Sequence, residues 1–236
     1  MGETGPAHLE PSELGTKEYW DGTYAEDLSR TPPEPDSPLC GWFSDVSASS
    51  KILKYLSSPS LGLDKQSTSI LDLGTGNGEM LFLLRQEGGF EGPMTGVDYS
   101  SQSVELCQTL AANKGLAEEA LKFRLWDIMG FDAPESLAVY DVVLDKGTFD
   151  AVSLNQATDR LGKRICEGYC ERIELLIKEG GILLVTSCNW TESELKRWFE
   201  HENLEPVDRI EYPVFSFGGQ TGQSVCSVCF RKKSKA

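Results

Sequence analysis

The run Ile70-Leu-Asp-Leu-Gly-Thr-Gly-Asn-Gly78 holds the densest chemistry in the chain. An apolar strand there ends in a turn whose Gly74, Gly76 and Gly78, with Thr75 and Asn77 between them, let backbone approach a ligand closely. A helix that follows such a turn points its first N–H groups the same way. Asp72, just ahead of the first glycine, is placed to hold a ligand ammonium group. A nicotinamide fingerprint would read G-x-G-x-x-G, and Glu79 breaks that spacing. An acidic residue before G-x-G-x-G after a strand points instead to S-adenosylmethionine.

Two further carboxylates end strand-like runs. Asp98, in GVDYS, can accept hydrogen bonds from both hydroxyls of a ribose, a geometry that serves any nucleoside cofactor. Asp127, in RLWDI, can meet an adenine amino group, with Ile128 and Tyr99 flanking the ring. Each alone reads equally as an exposed strand-end carboxylate; three at successive strand ends make a site. The fourth run ends in VLDKGTFDA, where Asp145, counted also among the cofactor-binding residues, either orients the incoming nucleophile or braces the turn, and Lys146 is placed to pair with a carboxylate. There is no D/N-P-P-Y/F sequence, which disfavours methylation of adenine amino or glutamine amide groups.

The elements that must carry these residues alternate. Strands are expected at Ser69–Leu73, Met94–Asp98, Lys122–Trp126, Tyr140–Asp145 and Ile182–Ser187. Helical patterns fall between them: one ends at Gly88–Gly89, one runs from a Ser100 cap to Gly115, and one spans Leu161–Lys178. Thr191 and Glu194 form a capping box for a helix carrying Leu195, Trp198 and Phe199. Two β runs, Val207–Tyr212 and Ser224–Arg231, then follow without a helix, so an antiparallel pair closes the chain. The expected fold is α/β, a seven-strand, Rossmann-like class I methyltransferase sheet, mostly parallel with a C-terminal antiparallel hairpin.

Upstream, helices are expected at Tyr19–Leu28 and Ala48–Leu56, separated by the Pro-rich stretch Thr31–Gly41. Residues 1–14 lack a hydrophobic period, so disorder is expected there, with one domain over residues 15–236. A length of 236 residues fits one domain. The net charge of −15 argues against a phosphate backbone as main partner, and no apolar run approaches the roughly 20 residues needed to span a bilayer. The seven cysteines are an odd set without a leader ahead of them, which points to reduced thiols inside the cell. Cys226 and Cys229 form a C-x-x-C, but three residues along a strand face opposite ways, so packing is the preferred reading and no metal is required.

Taken in order, Trp20-Asp21-x-x-Tyr24, ILDLGTGNG, GVDYS, LDKGTFDA, TSCNWT (Thr186–Thr191) and FSFGG (Phe215–Gly219) resemble the protein-lysine methyltransferases that modify translation elongation factor 1-alpha. The resemblance covers roughly residues 14 to 231; the glycine loop is common to many methyltransferases, and the last three motifs are the discriminating ones. It implies mono- or dimethylation of a lysine on the folded factor, in the cytoplasm; with the charge and the apolar runs considered above, the expected enzyme is a monomer without nucleic-acid or membrane partners. Under it, Asp145 and Asn189 are candidates for positioning the amine, and Trp42, Trp190 and Phe217 for lining its channel. Aromatic residues at these places serve a core equally well.

Overall fold

The computed structural model describes residues 7–30, 47–130, 138–213, 215–217, 220–222 and 224–234. Seven strands form one sheet: β1 (Ile70–Leu73), β2 (Met94–Asp98), β3 (Leu121–Leu125), β4 (Tyr140–Lys146), β5 (Ile177–Ser187), β6 (Leu204–Ile210) and β9 (Cys226–Lys232). Their order is β3-β2-β1-β4-β5-β9-β6. The first five run parallel, and β9 lies antiparallel to both β5 and β6. A separate small hairpin, β7 (Phe215–Phe217) with β8 (Gln220–Gly222), is inserted between β6 and β9.

Strand alternation builds two core layers. Ile70, Val142, Leu144, Ile182 and Leu184 face α1 (Lys17–Ser29), α2 (Ala48–Leu56), α3 (Glu79–Gln86) and α4 (Ser101–Asn113). Leu71, Leu73, Val143, Leu183 and Val185 face α5 (Thr148–Leu154), α6 (Tyr169–Glu174) and α7 (Glu192–Phe199). Cys229 belongs to the first layer and Cys226 to the second, as residues on opposite faces of one strand must.

The expected helix stops are present. Ser100 Oγ accepts Ser103 N at 3.4 Å to open α4. Gly115, at φ +67°, closes it with Gly115 N to Ala112 O and Leu116 N to Ala111 O, both 3.0 Å. Thr191 and Glu194 complete their reciprocal cap at α7.

Two expectations are corrected. The helix over Leu161–Lys178 does not form: Thr158 and Arg164 pair as an antiparallel bridge across a turn, α6 spans six residues, and Ile177 already belongs to β5. Gly162, at φ +79°, breaks the register, and the apolar spacing from Leu161 is coincidental because Leu161 faces solvent. Residues 7–14 are docked rather than disordered; residues 1–6 and the Pro-rich stretch lie outside the described residues. Ser12 N donates to Leu154 O (3.2 Å), and the His8 ring stacks on Trp198. No helix of the described residues is long and apolar enough to cross a membrane.

Candidate active site

Strand order reverses about β1, whose neighbours β2 and β4 continue in opposite directions, and such a switch point leaves a crevice at the carboxyl ends of the strands. A cavity of about 360 Å³ lies there. Its floor is the glycine turn after β1. Gly74 and Gly76 both adopt φ +59°. A Cβ on Gly74 would collide with Thr148 Oγ1, and one on Gly76 would stand 3.0 Å from Tyr24 Oη. Backbone angle calls for glycine at both positions, and crowding by Thr148 reinforces it at Gly74.

The three strand-end carboxylates come together on this cavity. Asp72 is buried, and its Oδ2 accepts Thr75 Oγ1 at 2.7 Å. Burial pushes its carboxyl up to about 6, against the pull of that hydrogen bond and of Lys146. Asp98 is equally buried; Oδ2 accepts Gly76 N (3.0 Å) and Oδ1 accepts Ser100 N (2.9 Å). Burial raises it as well, to about 6. Asp127 differs: it is exposed, with Oδ1 held by Met129 N at 2.9 Å. Tyr99 and Ile128 stand beside it on the wall, and Tyr99 Oη donates to Thr16 O at 3.2 Å. Asn77 Oδ1 accepts Glu79 N at 3.1 Å, which fixes the turn into α3.

Three expected site residues lie elsewhere. Asp145 shares the face of Val143, so its side chain points into the α5–α7 layer, away from the cavity. There its Oδ1 accepts Thr148 N (3.0 Å) and Phe149 N (3.1 Å), and its Oδ2 accepts Tyr169 Oη (2.7 Å). It braces the turn and the start of α5, so its assignment to nucleophile and cofactor is corrected. Asn189 is exposed outside the cavity, in a loop whose Asn189 N and Trp190 N both donate to Ser187 Oγ. Trp190 is a core residue, stacked on Phe149 at 6.0 Å and donating from Nε1 to Ser153 Oγ. Trp42 lies outside the described residues, as does the side chain of Phe217.

Several cavity residues are not among those the glycine and carboxylate patterns single out. Lys17, Trp20 and Tyr24 close the cavity from α1, and Trp20 Nε1 donates to Leu14 O at 2.8 Å. The i, i+4 aromatic pair of W-D-x-x-Y is the sequence signal for that face. Lys146, next on β4 after Asp145, turns to the cavity and stands 3.7 Å from Glu79. Asn155, at the end of α5, donates from Nδ2 to Gly15 O at 2.7 Å and ties the N-terminal segment down.

A family model described as a methyltransferase domain matches residues 64–221. The chain is 40% identical over 232 residues to the protein-lysine N-methyltransferase EFM4 of Saccharomyces cerevisiae, covering 98% of this chain and 99% of that one. It is 34% identical over 231 residues to human EEF1A lysine methyltransferase 2, covering 98% and 92%. Among solved structures, the [4+2]-cyclase SpnF (16% identity) and the magnesium protoporphyrin IX methyltransferase of Synechocystis with bound SAM (12%) each superpose with a TM-score of 0.64 over 98% of this chain and all of theirs. At such identities the superpositions speak for the fold.

Proposed function

The chain belongs to the methyltransferase family that contains EFM4 and EEF1A lysine methyltransferase 2, and from that premise we propose that it transfers methyl groups from S-adenosylmethionine to a lysine of translation elongation factor 1-alpha, adding one or two. The observation that carries the cofactor half of this reading is the pair Asp72 and Asp98, buried at the tips of adjacent strands around a glycine-floored cavity. The substrate half rests on the family.

The residues present suit a sulfonium nucleoside. A cavity of about 360 Å³ lies in the range of small-molecule sites, and its donor set offers acceptors for hydroxyls and an ammonium beside aromatic and apolar walls. Each oxygen of the Asp98 carboxylate spends one lone pair on a backbone N–H and keeps another for a ribose hydroxyl. Asp72 supplies the negative charge for the amino group, and Thr75 fixes its orientation. Asp127 meets the adenine edge between Tyr99 and Ile128.

When bound, S-adenosylmethionine supplies a methyl group already activated by its sulfonium. The chain's task is then alignment, and orientation of two reactants in a near-attack geometry contributes about 7–11 kcal/mol. The substrate amine must arrive neutral, which a partly apolar, water-poor slot favours by lowering the ammonium pKa. Since Asp145 and Asn189 lie off the cavity, the amine is positioned by the rim around Lys146, Gly147 and Asn155. In this reading the enzyme acts as a cytoplasmic monomer, where its translation-factor substrate works, and the charge of −15 keeps it from nucleic acid.

Mass spectrometry of elongation factor 1-alpha incubated with the purified protein and S-adenosylmethionine tests this. One lysine carrying one or two methyl groups is the expected product. An unmodified factor, with label from the cofactor appearing instead on another protein or a small molecule of an extract, would transfer the reading to a different acceptor.

A further inference from the structure

Between α5 and α6 the chain makes an excursion whose two ends belong to the cavity. Asn155, Ala157 and Ile165 line it, while residues 156–163 are all exposed. Hydrogen bonds tie the excursion together. Asp159 Oδ1 accepts Leu161 N (2.8 Å) and Lys163 N (2.9 Å), and Asp159 N donates to Lys163 O (2.8 Å). Below the turn, Thr158 bridges to Arg164, whose guanidinium donates to Asn155 O (2.9 Å) and Ser153 O (2.8 Å).

At the apex stands Leu161, 84% exposed, more so than any other large exposed hydrophobic side chain among the described residues. A single exposed leucine is ordinary on a protein surface. This one differs in its mount, because a preformed turn held by carboxylate and backbone bonds loses little freedom when it docks. Its position differs too, at the tip of a turn whose base lines the cavity. Arg160 and Lys163 flank it, two exposed cations on a chain of net charge −15.

We propose that the Asp159–Arg164 turn is the docking element for the protein substrate, seating Leu161 in an apolar hollow, rimmed by carboxylates, on the folded protein that presents its lysine to the cavity. The proposal rests on the reading above that the acceptor is a protein. Leucine as a buried anchor between two cations accounts for recognition of a folded surface rather than of a lysine alone, since removing an exposed leucine side chain from water favours docking wherever an apolar hollow receives it.

The test compares Leu161→Asp and Leu161→Met with the unaltered protein, using full-length elongation factor 1-alpha as substrate and S-adenosylhomocysteine as cofactor probe. Placing a carboxylate in the hollow should raise KM for the factor roughly tenfold or more, with kcat and the affinity for S-adenosylhomocysteine within about twofold. Leu161→Met should stay near the unaltered KM. If the unaltered protein methylates the factor and Leu161→Asp does so with the same KM, the docking proposal is overturned while the substrate reading stands. If the unaltered protein transfers nothing to the factor, the substrate reading fails and takes the proposal with it.

Discussion

Tyr169 Oη donates a 2.7 Å hydrogen bond to Asp145 Oδ2, and both groups are buried in the layer behind the sheet. With Thr148 N and Phe149 N on the same carboxylate, the bond makes Asp145 the anchor of α5. Tyr169→Phe leaves a buried carboxylate one donor short, a change that costs about 1–3 kcal/mol. Urea denaturation should register that loss while affinity for S-adenosylhomocysteine holds. Normal stability with abolished transfer would restore Asp145 and its partner to the reaction.

The same carboxyl makes stability depend on pH. Burial pushes Asp145 up to about 7 from an ordinary value of 3.8, against the pull of Tyr169 and the backbone donors. Between those values the unfolded chain has released the proton that the folded chain keeps, so raising the pH through this window lowers stability. Above about 7 both states are ionised and the contribution is flat. Asp145→Asn removes the titration, so the unaltered protein should lose stability relative to the variant as pH rises from about 5 to 7. Parallel stability curves would show that Asp145 does not titrate there.

How much of this was legible in the sequence depends on the kind of signal. Short strands ending in Asp72, Asp98 and Asp127 could be read directly, since an apolar run, a turn and a carboxylate are all local. The side of the sheet on which Asp145 falls was also within reach, because alternation from Val143 assigns it to the far face and Lys146 to the cavity. Position at a strand end, taken without that alternation, points to the acidic residue and so to the wrong neighbour. Leu161–Lys178 misled for another reason: apolar residues at helical spacing occur there, yet Gly162 and Gly168 interrupt the helix. The closing face of α1 is signalled only by the i, i+4 pair Trp20 and Tyr24, and that spacing does not tell a face that meets a cavity from one that meets the core. Trp190 and the Ser187 loop reflect tertiary packing that no spacing encodes.

Asp98→Ala removes both acceptors offered to a ribose. Affinity for S-adenosylhomocysteine, measured by titration calorimetry, should fall by roughly 1–3 kcal/mol, the scale of hydrogen bonds at a buried polar site. Gly76 N and Ser100 N lose their partner as well, so Asp98→Asn is the informative companion: it keeps one acceptor oxygen and should fall between the two. Unchanged affinity in both would remove Asp98 from the cofactor site.

Gly76→Ala acts on the floor of the cavity through two separable effects. At φ +59° an alanine costs about 1–2 kcal/mol of folding stability, and its methyl would press on Tyr24 Oη at 3.0 Å. Tyr24→Phe in the same chain relieves the contact and leaves the backbone strain. The single variant should therefore lose both stability and cofactor affinity, and the double variant should regain part of the affinity without regaining the stability. Equal affinity in the two would mean that the loop and α1 do not press on one another.

Burial, more than any neighbour, sets the pH at which Asp72 charges, and Lys146 and Glu79 adjust it in opposite directions. The two side chains face each other at 3.7 Å, and Lys146 is 15% exposed. Both act on Asp72, whose carboxyl stands at about 6: Lys146 draws it down and Glu79 drives it up. An ammonium group on the ligand is held by the ionised form, so affinity for S-adenosylhomocysteine should fall as pH drops through about 6. Lys146→Met removes the charge that favours ionisation and should move the midpoint of that fall to higher pH. Glu79→Gln removes the opposing charge and should move it lower. Opposite displacements on one binding curve are hard to obtain from general loss of structure, since a loosened site would weaken binding at every pH and move both variants the same way. Midpoints that coincide, or shift together, would show that Asp72 does not govern the acid limb.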